Sequence, residues 1–246
     1  MARARSRGGG RKRGGPPTAS RSLAVRLRTA RQRSASSTQW LERQLNDPYV
    51  AEARRRGFRS RAAFKLQQLD DRFHFLRPGA RVIDLGAAPG GWTQIAVARV
   101  GAEQGRGVVV GIDLLPMDPI TGATLIELDF LAPQAPAAIT AALGGPADAV
   151  LSDMAAPTTG HAATDHLRIM ALAEAAYDFA REVLAPGGTF IAKVFQGGTE
   201  RELLEALKRD FESVRHAKPP ASRAESAEVY VVAQGFRDRA APAGAT

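Results

Sequence analysis

Apolar positions follow two periods along the chain. Ala62, Leu66, Leu69 and Phe73 recur at spacings of 4, 3 and 4, one face of a helix, with Ser60 as its candidate N-cap and Lys65 flanking the stripe. Upstream, Trp40, Leu41, Leu45 and Tyr49 are broadly helical in spacing from Thr38 on, and Asn46-Asp47-Pro48 predicts an interruption there. From residue 81 short apolar runs alternate with helical stretches. The pattern predicts strands over 81–85, 107–112, 123–128, 147–152, 188–194, 212–217 and 228–234, and helices over 92–100, 134–143, 166–184 and 200–210. Such alternation predicts an α/β fold with a mostly parallel central sheet flanked by helices. No internal repeat interrupts it.

Composition narrows the class. The 246 residues are 44% apolar and 24% charged, enough for one domain and something extra. No run nears the roughly 18 apolar residues of a membrane span, and the N-terminus lacks a secretory apolar region, so membrane and secreted classes are not expected. With no cysteine, disulfides, thiolate-bound zinc, iron–sulfur clusters and thiol catalysis are excluded, which suits a reducing, cytoplasmic setting. Four scattered histidines give no reason to expect a metal site.

The net charge of +9 is unevenly placed. Residues 1–33 carry ten Arg and one Lys with no acid, leaving residues 34–246 at a formal −2. The first 17 residues mix Arg with Gly and Pro too densely for helix or strand, so 1–37 is expected to be a disordered basic tail, 38–236 the folded domain, and 237–246 a frayed end. The tail has three readings: an RNA-attracting arm, a solubilising segment, or an organelle-targeting stretch, against which its Gly/Pro block argues.

The chemistry begins at Arg81-Val-Ile-Asp-Leu-Gly-Ala-Ala-Pro-Gly-Gly-Trp92, where a strand runs through a glycine-rich turn into a helix. Gly86, Gly90 and Gly91 allow positive φ and close approach of backbone to a ligand, and a helix N-terminus offers N–H groups to a carboxylate or phosphate. The order G-x-x-x-G-G, with Asp84 two residues earlier, departs from the G-x-G-x-x-G of nicotinamide sites. An acid before the turn suits a cationic amino group, and Asp113, at the end of the second strand, suits a ribose diol. S-adenosylmethionine carries both, and a carboxylate as well. For the loop alone, a tight turn without a ligand is the alternative.

Five segments in order, Asp84-Leu-Gly-Ala-Ala-Pro-Gly-Gly-Trp92, Asp113-Leu-Leu-Pro-Met-Asp-Pro119, Ser152-Asp-Met154, Lys193-Val-Phe-Gln-Gly197 and Glu228-Val-Tyr230, resemble the FtsJ-type ribosomal RNA 2′-O-methyltransferases from about Ser60 to Gly235. The resemblance implies a Rossmann-like, S-adenosylmethionine-dependent methyltransferase fold. It implies methylation of a ribose 2′-hydroxyl, that of a uridine in ribosomal RNA of the large subunit, by a cytoplasmic monomer with no metal. It carries a Lys-Asp-Lys-Glu tetrad onto Lys65, Asp153, Lys193 and Glu228. It further implies Gly90 and Trp92 near the methionine end of the cofactor, Asp113 at the ribose, Asp129 near adenine, and Asp153 near the amino group or sulfonium. Trp92 as a core aromatic and Asp129 as a strand-end cap are the alternatives.

Two of the tetrad positions that the resemblance implies are also supported by the pattern. Asp153 and Lys193 sit near the carboxyl ends of predicted strands, where open α/β sheets hold ligands; singly, each charge would equally fit a structural ion pair or an exposed helix face. A ribose hydroxyl is a poor nucleophile unless its proton is removed or its developing charge is met, and lysine suits either task. Lys193 is therefore expected to activate the hydroxyl, Asp153 to orient it, and Lys65 and Glu228 to organise substrate and charge. Arg54, Arg55, Arg56, Arg59 and Arg61, continued by Arg223, predict a rim of phosphate contacts, with a solvated helix face as the alternative. Ala155-Ala-Pro157, where the family has Ala-Pro-Asn, and Glu225, where a basic residue is common, depart from its pattern in expected substrate loops. Rival readings are a transfer RNA or cap 2′-O-methyltransferase, a non-catalytic RNA chaperone or ribosome assembly factor, and a nicotinamide dehydrogenase.

Overall fold

The computed structural model describes Glu42, residues 45–195 and residues 201–237. The basic tail expected over 1–37 lies outside the described residues, as does the expected closing tail beyond Arg237. The chain divides after Asn46 into a short N-terminal unit and the body from Asp47 on.

The body contains α1 (Pro48–Arg55), α2 (Ala62–Phe73), β1 (Arg81–Leu85), α3 (Gly91–Val100), β2 (Val108–Asp113), β3 (Ala123–Glu127), α4 (Ala135–Leu143), β4 (Ala147–Ser152), α5 (Ala162–Val183), β5 (Leu184–Phe195), α6 (Arg201–Asp210), β6 (Phe211–Ala217) and β7 (Glu228–Phe236). The strands form one sheet in the order β3-β2-β1-β4-β5-β7-β6. β1 to β5 pair in parallel, and β7 runs antiparallel to both of its neighbours. Both faces are covered, which is why the inner strands read as near-continuous apolar runs. Ile83, Phe190 and Val231 pack with Ile139, Met170 and Leu207 of α4, α5 and α6. Val82, Ile191 and Tyr230 pack on the other face with Leu66, Leu69 and Ile95 of α2 and α3. Strand order reverses between β1 and β4, so the crevice of this sheet opens at their carboxyl ends, beside Gly86 and Asp153.

One sequence expectation is borne out here and one is corrected. The interruption expected at Asn46-Asp47-Pro48 is present: Leu45 is helical, Asn46 and Asp47 are not, and a new helix, α1, starts at Pro48, with Asp47 as its N-cap, its side chain accepting the Tyr49 N–H at 3.0 Å, and Pro48 in the first turn, where its missing N–H costs nothing. Ser60 caps nothing. The N-cap position of α2 is Arg61, without a side-chain cap bond, and the Ser60 hydroxyl is buried against α3, where a Cβ on Gly91 would lie 2.3 Å from its oxygen. Two elements are also longer than expected. α5 begins at Ala162, and β5 begins at Leu184, ahead of its Pro-Gly-Gly, with an irregularity in its pairing to β4 between Ala147 and Ala149.

Candidate active site

Four elements deliver the tetrad to one spot. Lys65 comes from α2, Asp153 follows β4, Lys193 lies near the end of β5, and Glu228 opens β7. Cross-strand register does the rest: Lys193 is paired with Tyr230, and alternation along β7 puts Tyr230 on the same face as Glu228. The result is a continuous polar chain. Lys65 Nζ donates to Glu228 Oε1 at 2.6 Å and to the Tyr230 hydroxyl at 3.0 Å. That hydroxyl donates to Asp153 Oδ1 at 2.8 Å, and Lys193 Nζ lies 3.1 Å from the same oxygen while donating to the Asp153 carbonyl at 2.7 Å. Ser222 Oγ adds a bond to Glu228 at 3.2 Å.

Lys193 is 8% exposed and Tyr230 fully buried. Burial pushes the Asp153 carboxyl up, but the charges of Lys193 and Lys65 and the Tyr230 hydrogen bond more than offset it, so the group is held below the usual carboxylate range. Burial, then the charges of Asp153 and Glu228, push the Tyr230 hydroxyl well above its ordinary value, which keeps it a donor. Asp153 thus grips Lys193 from two sides, by carboxylate and by carbonyl. Tyr230, quoted above only as part of a motif, is the residue that sequence reasoning missed. Its signal is the two-residue spacing from Glu228.

Next to the tetrad a hollow of about 500 Å³ opens at the switch point, lined by Gly86, Asp113, Asp129 and the apolar Leu114, Leu131 and Met154, with Arg168 and Leu172 from α5. Asp113 ties the loops of this wall together: its Oδ2 accepts the Ala88 N–H and its Oδ1 the Leu115 N–H, both at 2.9 Å. Asp129 accepts the Leu131 N–H at 2.9 Å, so it serves its turn while lining the hollow. Below them Asp84 is fully buried. Its Oδ2 accepts from the Thr93 hydroxyl at 2.7 Å, and its Oδ1 has no hydrogen-bond partner among the described residues. Burial pushes this carboxyl up to about 7, the Thr93 bond opposing and the charges of Asp153 and Asp113 adding.

The glycines of the loop also answer to the packing of the protein around them. Gly86 and Gly90 do have positive φ, of 77° and 107°. Yet the atoms crowding them belong to the protein: a Cβ on Gly86 would meet Met154 at 2.7 Å, and one on Gly90 would meet Ile120 at 2.8 Å and Arg59 at 3.0 Å. Gly91 is the first residue of α3 and lies against Ser60. Trp92 turns its indole into the core, 3% exposed, where Nε1 donates to the Ala62 carbonyl at 2.9 Å and the ring packs 5.5 Å from that of Tyr230.

The arginine run is largely committed within the fold. Arg55 and Arg56 both bond Glu52, which their hydrogen bonds pull down to about 2. Arg61 pairs with Asp47 at 2.7 Å and donates to the Ala221 carbonyl, and Arg223 approaches the same Asp47 at 3.8 Å. Arg59 donates to the carbonyls of Asp118 at 2.7 Å, Pro119 at 2.8 Å and Pro89 at 3.3 Å. The expected phosphate rim is therefore narrower than a count of charges suggests. A larger hollow, about 620 Å³, lies where β1, β4 and β5 begin, beside Arg77, Asp148 and Glu212, and touches none of the predicted site residues. Among the described residues no group of three or more His, Asp or Glu could hold a metal, and no helix is long and apolar enough to cross a membrane.

A hollow that meets a lysine–carboxylate chain at the switch point is suited to handing a group from a bound donor to an acceptor, the work of an α/β group-transfer enzyme. The model of FtsJ-like methyltransferases matches residues 58–236, and the chain belongs to that family. Its relatives include the Ribosomal RNA large subunit methyltransferase E of Paramagnetospirillum magneticum, 66% identical over 225 residues, 91% of this chain and 92% of that one. The protein of the same name from Parvibaculum lavamentivorans is 61% identical over 238 residues, 94% of each. A solved structure assigned as a ribosomal RNA methyltransferase from Plasmodium falciparum has a TM-score of 0.66 at 29% identity, covering 74% of this chain and all of that one.

Proposed function

We propose that this protein methylates the 2′-hydroxyl of a ribose in large-subunit ribosomal RNA, a uridine by the resemblance of its motifs, with S-adenosylmethionine as donor. The observation that carries the reading is the buried chain Lys65–Glu228–Tyr230–Asp153–Lys193 abutting the acid-lined hollow. The names of the relatives above supply the substrate.

The residues in and below the hollow fit this donor. In its lining Asp113 and Asp129 offer acceptors to a diol and an adenine edge, and Leu114, Leu131 and Met154 offer apolar faces; Asp84, outside the lining and fully buried, holds an oxygen without a hydrogen-bond partner among the described residues, which we assign to the amino group. When bound, S-adenosylmethionine supplies an electrophilic methyl group. The remaining work is the protein's. Lys193, fixed by Asp153 from two sides, meets the acceptor hydroxyl and takes its proton or its developing negative charge. Lys65 is neutralised by Glu228 and joined through Tyr230 to Asp153, so the site holds two lysines against three acidic or phenolic partners without a bare charge. One chain supplies every group named, so we read the working unit as a monomer, acting in the cytoplasm where its ribosomal substrate is.

The test is a map of 2′-O-methylation across ribosomal RNA from cells with and without this protein. One methylated position of the large-subunit RNA is expected to vanish on deletion and return with the wild-type gene. An unchanged map would refute the substrate.

A further inference from the structure

The tetrad borders a second hollow, of about 490 Å³, on the side away from Asp113 and Asp129. Lys193 and Glu228 lie in its lining, and Phe195, Ile169 and His166 wall it. The rings of Phe195 and His166 stand 6.3 Å apart, centroid to centroid, tilted by 43°. That is too close for a base to slide between them; they form an aromatic corner, with one ring face to lie against. Ala155 and Ala156 line both hollows, so the donor hollow and this one share a wall of small side chains.

The geometry constrains what an acceptor nucleoside can do. Its 2′-hydroxyl must reach Lys193, which is 8% exposed, and the base is attached to the carbon next to the one bearing that hydroxyl. Lys193 lies in the lining of this hollow, so a 2′-oxygen that reaches so recessed a group carries its ribose to the mouth of the hollow and draws the attached base away from its neighbours. The displaced base then needs a surface, and aromatic side chains supply stacking that is tolerant of base identity. Two of the polar side chains of the hollow are engaged within the fold: Asp165 Oδ1 accepts both the N–H and the hydroxyl of Thr159 at 2.7 Å, and Ser226 Oγ accepts the Glu228 N–H at 3.2 Å. The Phe195 ring offers the wall a surface for stacking.

We infer that this second hollow receives the target nucleobase, unstacked from its neighbours and lying in the corner of Phe195 and His166, which makes Phe195 a substrate-positioning residue; the inference rests on the 2′-O-methyltransferase reading above. It is tested with the full-length protein and ribosomal RNA transcripts ligated so that the methylated nucleotide carries either its base or an abasic ribose. On the base-bearing RNA, Phe195→Leu, which keeps bulk and loses the ring, is expected to lower kcat/KM about tenfold, and Phe195→Tyr to stay within about threefold. On the abasic RNA all three proteins are expected to run alike, below the wild-type rate on normal RNA. An equal loss for Phe195→Leu on both RNAs, or a wild type indifferent to removal of the base, overturns the inference. As a second readout, 2-aminopurine placed 3′ of the target is expected to brighten when the complex forms, and unchanged emission overturns the inference even if abasic RNA reacts too slowly to assay. A wild type that methylates neither RNA strikes at the 2′-O reading and is told apart by that.

Discussion

Asp84→Asn keeps the shape of a buried side chain and removes its charge. Asp84 is fully enclosed, holds one hydrogen bond from Thr93, and has a carboxyl pushed from 3.8 up to about 7, chiefly by burial. The folded state therefore holds the proton more tightly than the unfolded chain. The stability this contributes is complete below about pH 3.8 and is lost as the pH rises through about 7. At about 1.36 kcal/mol per pKa unit, the whole span corresponds to about 4 kcal/mol, and the part between pH 5 and 8 to about 2 to 3 kcal/mol. Urea unfolding of donor-free protein across that range, wild type beside Asp84→Asn, isolates the effect, because the four histidines are common to both. The wild type is expected to lose about 2 to 3 kcal/mol relative to the variant between pH 5 and 8. At pH 8 the variant is also expected to bind S-adenosylmethionine at least tenfold more weakly, since the amino group loses its counter-charge. Parallel stability curves would refute the argument, for they would mean that the carboxyl is no harder to ionise in the fold than out of it.

Lys193→Ala is expected to leave donor affinity nearly intact by calorimetry and to cut methyl transfer by roughly two or more orders of magnitude; Lys193→Arg is not expected to restore it, and a fully active Arg variant would leave only an electrostatic role. Tyr230→Phe removes the donor to Asp153 and the acceptor of Lys65, so kcat is expected to fall about tenfold or more with KM for RNA within about twofold. A Tyr230→Phe enzyme with unchanged kcat would show that Asp153 and Lys193 hold their places without the phenol.

The strand–helix alternation was legible because period and punctuation agreed: short apolar runs bounded by glycine, proline and acids, between stripes of helical spacing. The tetrad was legible through the resemblance, and for Asp153 and Lys193 through their places near the ends of predicted strands as well. Parallel β4 and β5 bring those two carboxyl-terminal ends together, and β7, antiparallel to β5, brings its first residue, Glu228, to the same edge. What stayed hidden depends on what lies across from a residue. Ser60 has the chemistry of a cap, yet its hydroxyl is turned into the contact with Gly91, a contact between segments some thirty residues apart. The arginine run looked like a surface because nothing in its spacing marks Asp47, Ala221 or Pro119 as partners. Tyr230 is a strand tyrosine like any other until the register of β5 against β7 puts Lys193 beside it.

The Arg59 guanidinium reaches the loop after β1 and the loop after β2 through main-chain oxygens alone, those of Pro89, Asp118 and Pro119. A carbonyl is the same in every residue, so this clasp is indifferent to which side chains the two loops carry. The clasp itself places no demand on the side chains of residues 118 and 119, only on the path of their backbone, whereas the arginine has no substitute with the same planar reach. The path of both loops is in this way tied to a single position outside them.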